Sequence, residues 1–235
     1  MIQGLDHVSV LVRDLGEATR AWSAILGRSP SFRGDHEDLG ACNALFRLRN
    51  TSLELVTPTR ETTYSSWLRK RLDREGEGLF VLGFATDDAD ACARELRSAG
   101  LSVEGPREGQ ATALDTEAVL RFRSVVWPPA QTRGVASFAI EYLSDEDVMP
   151  LREPTADPHA AVDALDHVVV QTSDPEGAIA LYQDRLGLRL ALDRTFPERG
   201  VRLLFFRTGG VTVEVAARLD APKDADARDR LWGLA

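Results

Sequence analysis

The sequence predicts an α+β fold assembled from repeated βαβββ modules, and three observations lead there. A short motif recurs at constant spacing. Leu5-Asp6-His7-Val8 is followed by Leu53-Glu54-Leu55-Val56, and Leu165-Asp166-His167-Val168 by Val213-Glu214-Val215, with 47 residues from His to Glu in each case. A repeat that keeps two polar residues and the distance between them marks a duplicated unit. Each histidine also opens an apolar, β-branched run, which gives way to apolar residues at helical spacing. Strand-like stretches then cluster behind each helix, separated by turn residues.

The first module opens with a strand pattern from His7 to Val12. Asp14 stands at the N-cap position, with Glu17 three residues on as in a capping box. Leu15, Ala18, Trp22, Ile25 and Leu26 mark one helix face, and Gly27 its stop. Strands follow near residues 31–33, 43–49 and 52–56, the last two joined by Asn50-Thr51. A basic, helix-like segment at 65–74 leads to the second module. There a strand spans 79–86, Asp87-Asp88 cap a helix over 89–98, and Gly100 follows it. Further strands fall near 101–103, 119–126 and 135–143. The third module has a strand over 166–171 and a helix over 175–186, with Pro175 in its first turn and Gly187 at its end. Residues 201–207 and 211–216 then read as a hairpin around Gly209-Gly210.

Residues 144–163 hold three prolines and many acidic groups. This stretch reads as a break between a complete domain at 1–145 and a third module at 164–235, with 146–163 as linker. Leu231-Trp232-Gly233-Leu234-Ala235 aligns with Val81-Leu82-Gly83-Phe84-Ala85, so a fourth module is opened and not finished. A lone third module would bare an apolar sheet edge. The expectation is therefore a chain cut short of the natural protein, or a third module covered by another chain or by the first domain.

Apolar content of 43% and charged content of 28% over 235 residues suit a globular protein with a full core. A net charge of −9 argues against a nucleic-acid or anionic-membrane surface. Cys42 and Cys92 lie in apolar contexts and read as small core residues rather than a disulfide. The N-terminus lacks a signal-like pattern, and no window approaches the ~20 apolar residues of a membrane span, so a cytoplasmic protein is expected.

The repeated motifs resemble the vicinal oxygen chelate superfamily, and its glyoxalase-like branch most closely. Asp14-Leu15 with its helix, Gly40-Ala41-Cys42-Asn43, Asn50-Thr51-Ser52 and Phe138-Ala139-Ile140-Glu141-Tyr142 carry the resemblance further. The superfamily includes glyoxalase I, extradiol dioxygenases, methylmalonyl-CoA epimerase and bleomycin-resistance proteins. The resemblance implies two modules pairing into an open, cupped mixed sheet with helices outside. It also implies metal ligands from the first and fourth strands of each module. Carried over position by position, these are His7, Glu54, Val81 and Glu141. Val81 has no donor atom, which leaves His7, Glu54 and Glu141 for a divalent ion such as Zn, Ni, Mn, Co or Fe.

Strand alternation offers a check. It sets His7, Ser9 and Leu11 opposite Val8, Val10 and Val12, and Glu54 opposite Leu53 and Leu55. In the last strand it sets Glu141 opposite Phe138, Ile140 and Tyr142, so the expectation is that all three polar candidates share the concave face. His167 and Glu214 keep the spacing, but Leu231 stands at a third ligand position, so this half reads as a degenerate structural or ligand-binding unit. His36 and His159 read as solvated surface residues, and Trp22, Trp67 and Trp127 as core or rim packing. Arg69-Lys70-Arg71 reads as a solvated helix face that could also attract an anion.

By resemblance to glyoxalase I, the expected activity is that of a metal-dependent lyase or isomerase. The ion would bind two neighbouring substrate oxygens and stabilise an enediolate, with Glu141 as the base. The alternative is a non-enzymatic binder of bleomycin-resistance type, which the loss at Val81 fits. An extradiol dioxygenase would want two histidines and a carboxylate, which neither half supplies. The expected partner is a small molecule, and a homodimer is compatible with the sequence.

Overall fold

The computed structural model describes residues 1–155, 157–222 and 228–235. Residue 156 of the linker and 223–227 of the polar stretch before the last strand lie outside them. The first module runs β1 (Gly4–Leu11), α1 (Leu15–Leu26), β2 (Phe32–His36), β3 (Ala41–Arg47) and β4 (Ser52–Pro58). After α2 (Thr63–Glu75) the second runs β5 (Gly78–Ala85), α3 (Ala89–Ser98), β6 (Glu104–Ala113), β7 (Val119–Val126) and β8 (Ala136–Tyr142). The third comprises β9 (His167–Thr172), α4 (Pro175–Ile179, continuing as a π-helical stretch to Arg185), β10 (Arg189–Phe196), β11 (Val201–Thr208) and β12 (Val211–Arg218). The chain ends on β13 (Arg230–Leu234).

Local chemistry accounts for the helix ends. Asp14, Asp88 and Asp174 each accept a backbone N–H three residues on, from Glu17, Ala91 and Gly177. α2 starts with a full capping box between Thr62 and Ser65. Gly27 closes α1 in the left-handed region. The α1 capping box is incomplete, because the Glu17 carboxylate turns to Arg20.

The mixed sheet of modules one and two curls until it closes, in the order β1-β4-β3-β2-β6-β7-β8-β5. The parallel pairs β1–β4 and β5–β8 flank the seam at which the two halves join. The halves meet where β1 runs antiparallel to β5, and where Gly34 and Asp35 of β2 pair with Ala113 and Thr112 of β6. Closure removes the free edges that a cup would leave. The third module forms a five-stranded sheet, β10-β11-β12-β9-β13, in which β13 pairs with β9 as β5 pairs with β1.

The third module packs its helix-side face against the barrel. One buried cluster runs from Leu5, Val8, Leu82 and Phe84 through the α3 residues Cys92, Ala93 and Leu96 to Val168, Tyr182, Leu204 and Phe206. Both cysteines are free. Trp127 is fully buried and donates its indole N–H to Ser137. Trp67 sits at the rim, stacked on Tyr64.

Polar contacts fix the junction. Asn50 donates to the carbonyls of Leu165 (2.8 Å) and Gly210 (3.0 Å) and accepts from the Leu165 N–H (3.1 Å). The β11–β12 turn reaches β1 so closely that a Cβ on Gly209, itself at φ 57, would lie 2.5 Å from the Gly4 Cα. The linker straps across the end of α1, where Arg28 reaches the carbonyl of Arg152 and Thr155 donates to that of Gly27. Arg133 bridges Asp174 (3.0 Å) and Asp229 (3.1 Å), whose side chain is 1% exposed.

Arg133→Met should therefore strand a buried carboxylate. The expected loss is about 3 kcal/mol of unfolding free energy by chemical denaturation. The double variant Arg133→Met/Asp229→Leu should recover most of it. An unchanged midpoint in the single variant would show that the bridge holds nothing together.

Candidate functional site

The site grows from strand register. In β1 the alternation expected from sequence aims His7 and Ser9 into the barrel, and the parallel β4 sets Glu54 level with Ser9. Glu54 is engaged on both oxygens: Oε2 accepts from the Ser9 hydroxyl (2.5 Å) and Oε1 from the Asn43 amide (2.7 Å). Asn43 is itself fixed, because its carbonyl accepts the Gly34 N–H (3.1 Å). His7 Nε2 lies 3.7 Å from Glu54 Oε2, while its Nδ1 bonds Asp6 Oδ1 at 2.5 Å. Asp6 also accepts from the Tyr142 hydroxyl (3.1 Å). Phe138 packs at 60° to the imidazole with centroids 5.4 Å apart. Gly83 lies against the same ring so tightly that any Cβ there would overlap it.

Burial alone would lower the pKa of His7, but the Asp6 hydrogen bond and the Glu54 and Asp6 charges overcome it, and the net shift is upward. Burial dominates for Tyr142 and Tyr64, whose phenols are pushed up, with the Glu54 charge adding to each. The interior is thus a buried chain of Tyr142, Asp6, His7, Glu54, Ser9 and Asn43. At its Asp6 end a cavity of about 570 Å³ opens, lined by Asp6, Arg47, Thr51, Ser52 and Tyr142 among others.

His7 and Glu54 come together as the spacing implied; Glu141 does not join them. Its carboxylate accepts the Ala89 N–H at the start of α3 (3.2 Å) and faces Arg123 (3.4 Å), on the helix-covered side. This corrects the expectation of a shared concave face for the whole trio. The reason is register. Ser9 pairs with Glu54 in the first half, and the matching pair in the second half, two residues beyond Val81, is Gly83 with Phe138. Phe138 therefore occupies the position that mirrors Glu54. Glu141 lies three residues further along, and an odd step along a strand changes face.

His36 is the second correction. It is half-buried rather than solvated, its ring stands 6.0 Å from Phe122, and its Nδ1 is buried with no hydrogen-bond partner. Burial lowers its pKa against the opposing charges of Glu54 and Asp35. The polar stretch around it concealed the position; period-two alternation from Phe32 through Gly34 would have found it. His159 is exposed, as expected.

The third module repeats the geometry on its open sheet. His167 Nε2 lies 3.5 Å from Glu214, and its Nδ1 bonds Asp166 at 2.8 Å.

Among the described residues, no group of three or more His, Cys, Asp or Glu side chains is disposed to hold a metal ion. His7 offers Nε2 and Glu54 a carboxylate already bonded to Ser9 and Asn43, while Val81 and Phe138, without donor atoms, stand at the remaining positions. A divalent ion wants three or four donors free to converge. These residues do not fit one.

A closed barrel of paired βαβββ modules with a His–Glu pair on its first and fourth strands defines a vicinal oxygen chelate protein. Residues 5–163 match the family described as glyoxalase-like domain, and 164–229 the glyoxalase/bleomycin resistance protein/dioxygenase superfamily. The chain belongs to the glyoxalase-like domain family. Among solved structures it is similar to a hypothetical protein from Staphylococcus aureus (TM-score 0.68, 11% identity, covering 91% of this chain and 85% of that one). A mutant 4-hydroxymandelate synthase from Streptomyces coelicolor gives a TM-score of 0.65 at 17% identity, with 96% and 66% covered. A methylmalonyl-CoA epimerase variant from Streptomyces coelicolor gives 0.51 at 23%, with 61% and 100% covered. At such identities the likeness is one of fold. No curated protein matches the chain. Among the described residues, no helix is long and apolar enough to cross a membrane.

The raised His7 pKa has a signed consequence. A folded-state value above the unfolded one gives stability that is fully present below about pH 6.5 and lost as pH rises through the folded value. Unfolding free energy should therefore decline above about pH 6.5, and Asp6→Asn should move the His7 titration, followed by NMR, downward. A His7 midpoint below 6.5 in the unaltered protein would contradict the network. Glu141→Ala, by contrast, should remove about 1 kcal/mol of stability through the α3 start without moving the His7 titration.

Proposed function

We propose that this chain is a metal-free, small-molecule-binding member of its superfamily, taking its ligand in the cavity at the Asp6 end of the barrel. The observation that carries this reading is that Val81 and Phe138 stand where further donors would be needed, while both Glu54 oxygens already accept bonds from Ser9 and Asn43. The cavity of about 570 Å³ lies within the usual range for ligand pockets. Asp6, Arg47, Ser52 and Tyr142 offer it both donors and acceptors, which suits an oxygen-rich molecule.

A lyase or isomerase is the second reading, favoured by the imidazole held between two carboxylates. Asp6 orients His7, and the other ring nitrogen faces Glu54, an arrangement that can hold and pass a proton. In its metal-dependent form this reading needs donors that the residues present do not assemble.

Elemental analysis separates the first reading from the metal-dependent form of the second. After loading with Zn, Ni, Mn, Co or Fe(II) and desalting, the protein should retain far less than one ion per chain. About one ion per chain, lost in His7→Ala, would overturn the metal-free reading and would require His36 to swing its free Nδ1 toward Glu54. Arg47→Ala should weaken binding of a small ligand found by NMR screening about tenfold, the effect of one lost charged hydrogen bond.

A further inference from the structure

A second cavity lies where the barrel meets the third module, and its chemistry differs from that of the first. It measures about 600 Å³ and is bounded by the end of α2, the start of β5, the Gly134 turn and β13. Four arginines line it, Arg71, Arg74, Arg228 and Arg230, in a chain whose net charge is −9. The run Arg69-Lys70-Arg71 is thus divided by the structure: Arg69 turns to Glu61, and Arg71 lines the cleft.

The acids nearby are already engaged. Glu75 is shared by Arg71 (2.8 Å) and Arg74 (2.5 Å). Glu77 accepts the Arg13 backbone N–H, and Asp229 is held by Arg133. Among the described residues Arg228 and Arg230 make no ion pair. Arg228 lies with its stem across Gly134, where a Cβ would come within 2.9–3.2 Å of it. Crowding acts on Arg71: burial first, then the charges of Arg74 and Arg230, push its pKa down against the pull of Glu75.

Like charges gathered in a partly desolvated cleft repel one another, and an anion of matching charge relieves that repulsion. Guanidinium forks suit phosphate, which takes paired N–H donors. The cavity is larger than a phosphate needs, and its remaining wall is apolar: Leu79, Phe80, Leu231 and Trp232, the last 63% exposed. An exposed indole beside arginines is a surface on which a flat group can stack.

We propose that this cleft is a binding site for an aryl or similarly flat phosphomonoester, with Arg228 and Arg230 taking the phosphate and Trp232 the ring. The site is separate from the barrel cavity, and the inference does not rest on the function assigned there.

Isothermal titration of the full chain with phenyl phosphate, inorganic phosphate and phenol tests it. Phenyl phosphate should bind more tightly than inorganic phosphate, quench tryptophan fluorescence, and weaken as salt is added. Binding should tighten as pH rises through about 6, where a phosphomonoester takes its second charge. Arg228→Gln/Arg230→Gln should lose about tenfold or more in affinity, and Trp232→Ala should abolish the advantage of phenyl phosphate over inorganic phosphate. Both variants change exposed side chains, and circular dichroism would verify their folding. Absence of phenyl phosphate binding at millimolar concentration would overturn the proposal. So would unchanged affinity in the arginine double variant, or phenol binding as well as its phosphate.

Discussion

The interior of this protein depends on the parallel register between the first and fourth strands of a module. With His7 level with Ser52, Ser9 is level with Glu54, and the imidazole, hydroxyl and carboxylate meet inside the barrel. Slip that pairing by one residue and Glu54 would move to the helix-covered side, exchanging a bonded carboxylate for a stranded one. The apolar partners enforce the setting, because Val8, Val10, Leu53 and Leu55 are buried on the opposite face and cannot be turned inward together with their polar neighbours. Gly83 completes the constraint from β5, since only a residue without a Cβ leaves room for the His7 ring.

The bonding of Glu54 follows from the same register. A carboxylate in a barrel needs compensation, which a metal, a cation or neutral donors can supply. Here Ser9 and Asn43 supply it, and Asn43 is anchored to the backbone of β2 by Gly34. The second half carries no polar group to compensate at the equivalent level, where Val81 and Phe138 pack as apolar residues. Within one fold, the side chains at four strand positions set which groups can compensate that carboxylate.

Much of this was legible in the sequence. The repeat length reported the register directly, since His167 pairs with Thr212 and Val169 with Glu214, as His7 pairs with Ser52 and Ser9 with Glu54. Aspartate caps located two helices and Pro175 opened a third, with a glycine after each, by local chemistry alone; the Asp174 cap of the third came from the structure. The strands that escaped were β6 and β10. Glu104–Ala113 contains two glycines, a proline and four charged or amide side chains, and Arg189–Phe196 is exposed along most of its length. Neither alternates apolar with polar, because neither has one face buried and the other wet. The face of Glu141 failed for a related reason. Both faces of β8 are covered, one by helices and one by the barrel interior, so apolar content no longer tells inside from outside. Register against β5 is a tertiary fact, and it decided the matter.

The third module shows what such a repeat does and does not encode. His167, Asp166 and Glu214 reproduce the distances of His7, Asp6 and Glu54 to within a few tenths of an ångström. Their surroundings are not reproduced: the His167 side chain is 23% exposed against 4% for His7. The distances come from one module alone, through the pairing of its first and fourth strands. The burial comes from the partner module, and in the second sheet, among the described residues, β13 is the only strand that lies beyond β9. A buried imidazole between two carboxylates is held in charge and orientation, whereas the same trio in water is screened and hydrated. Conserved spacing within a chain is therefore evidence of shared strand register. Shared chemistry requires, in addition, that the same faces be closed.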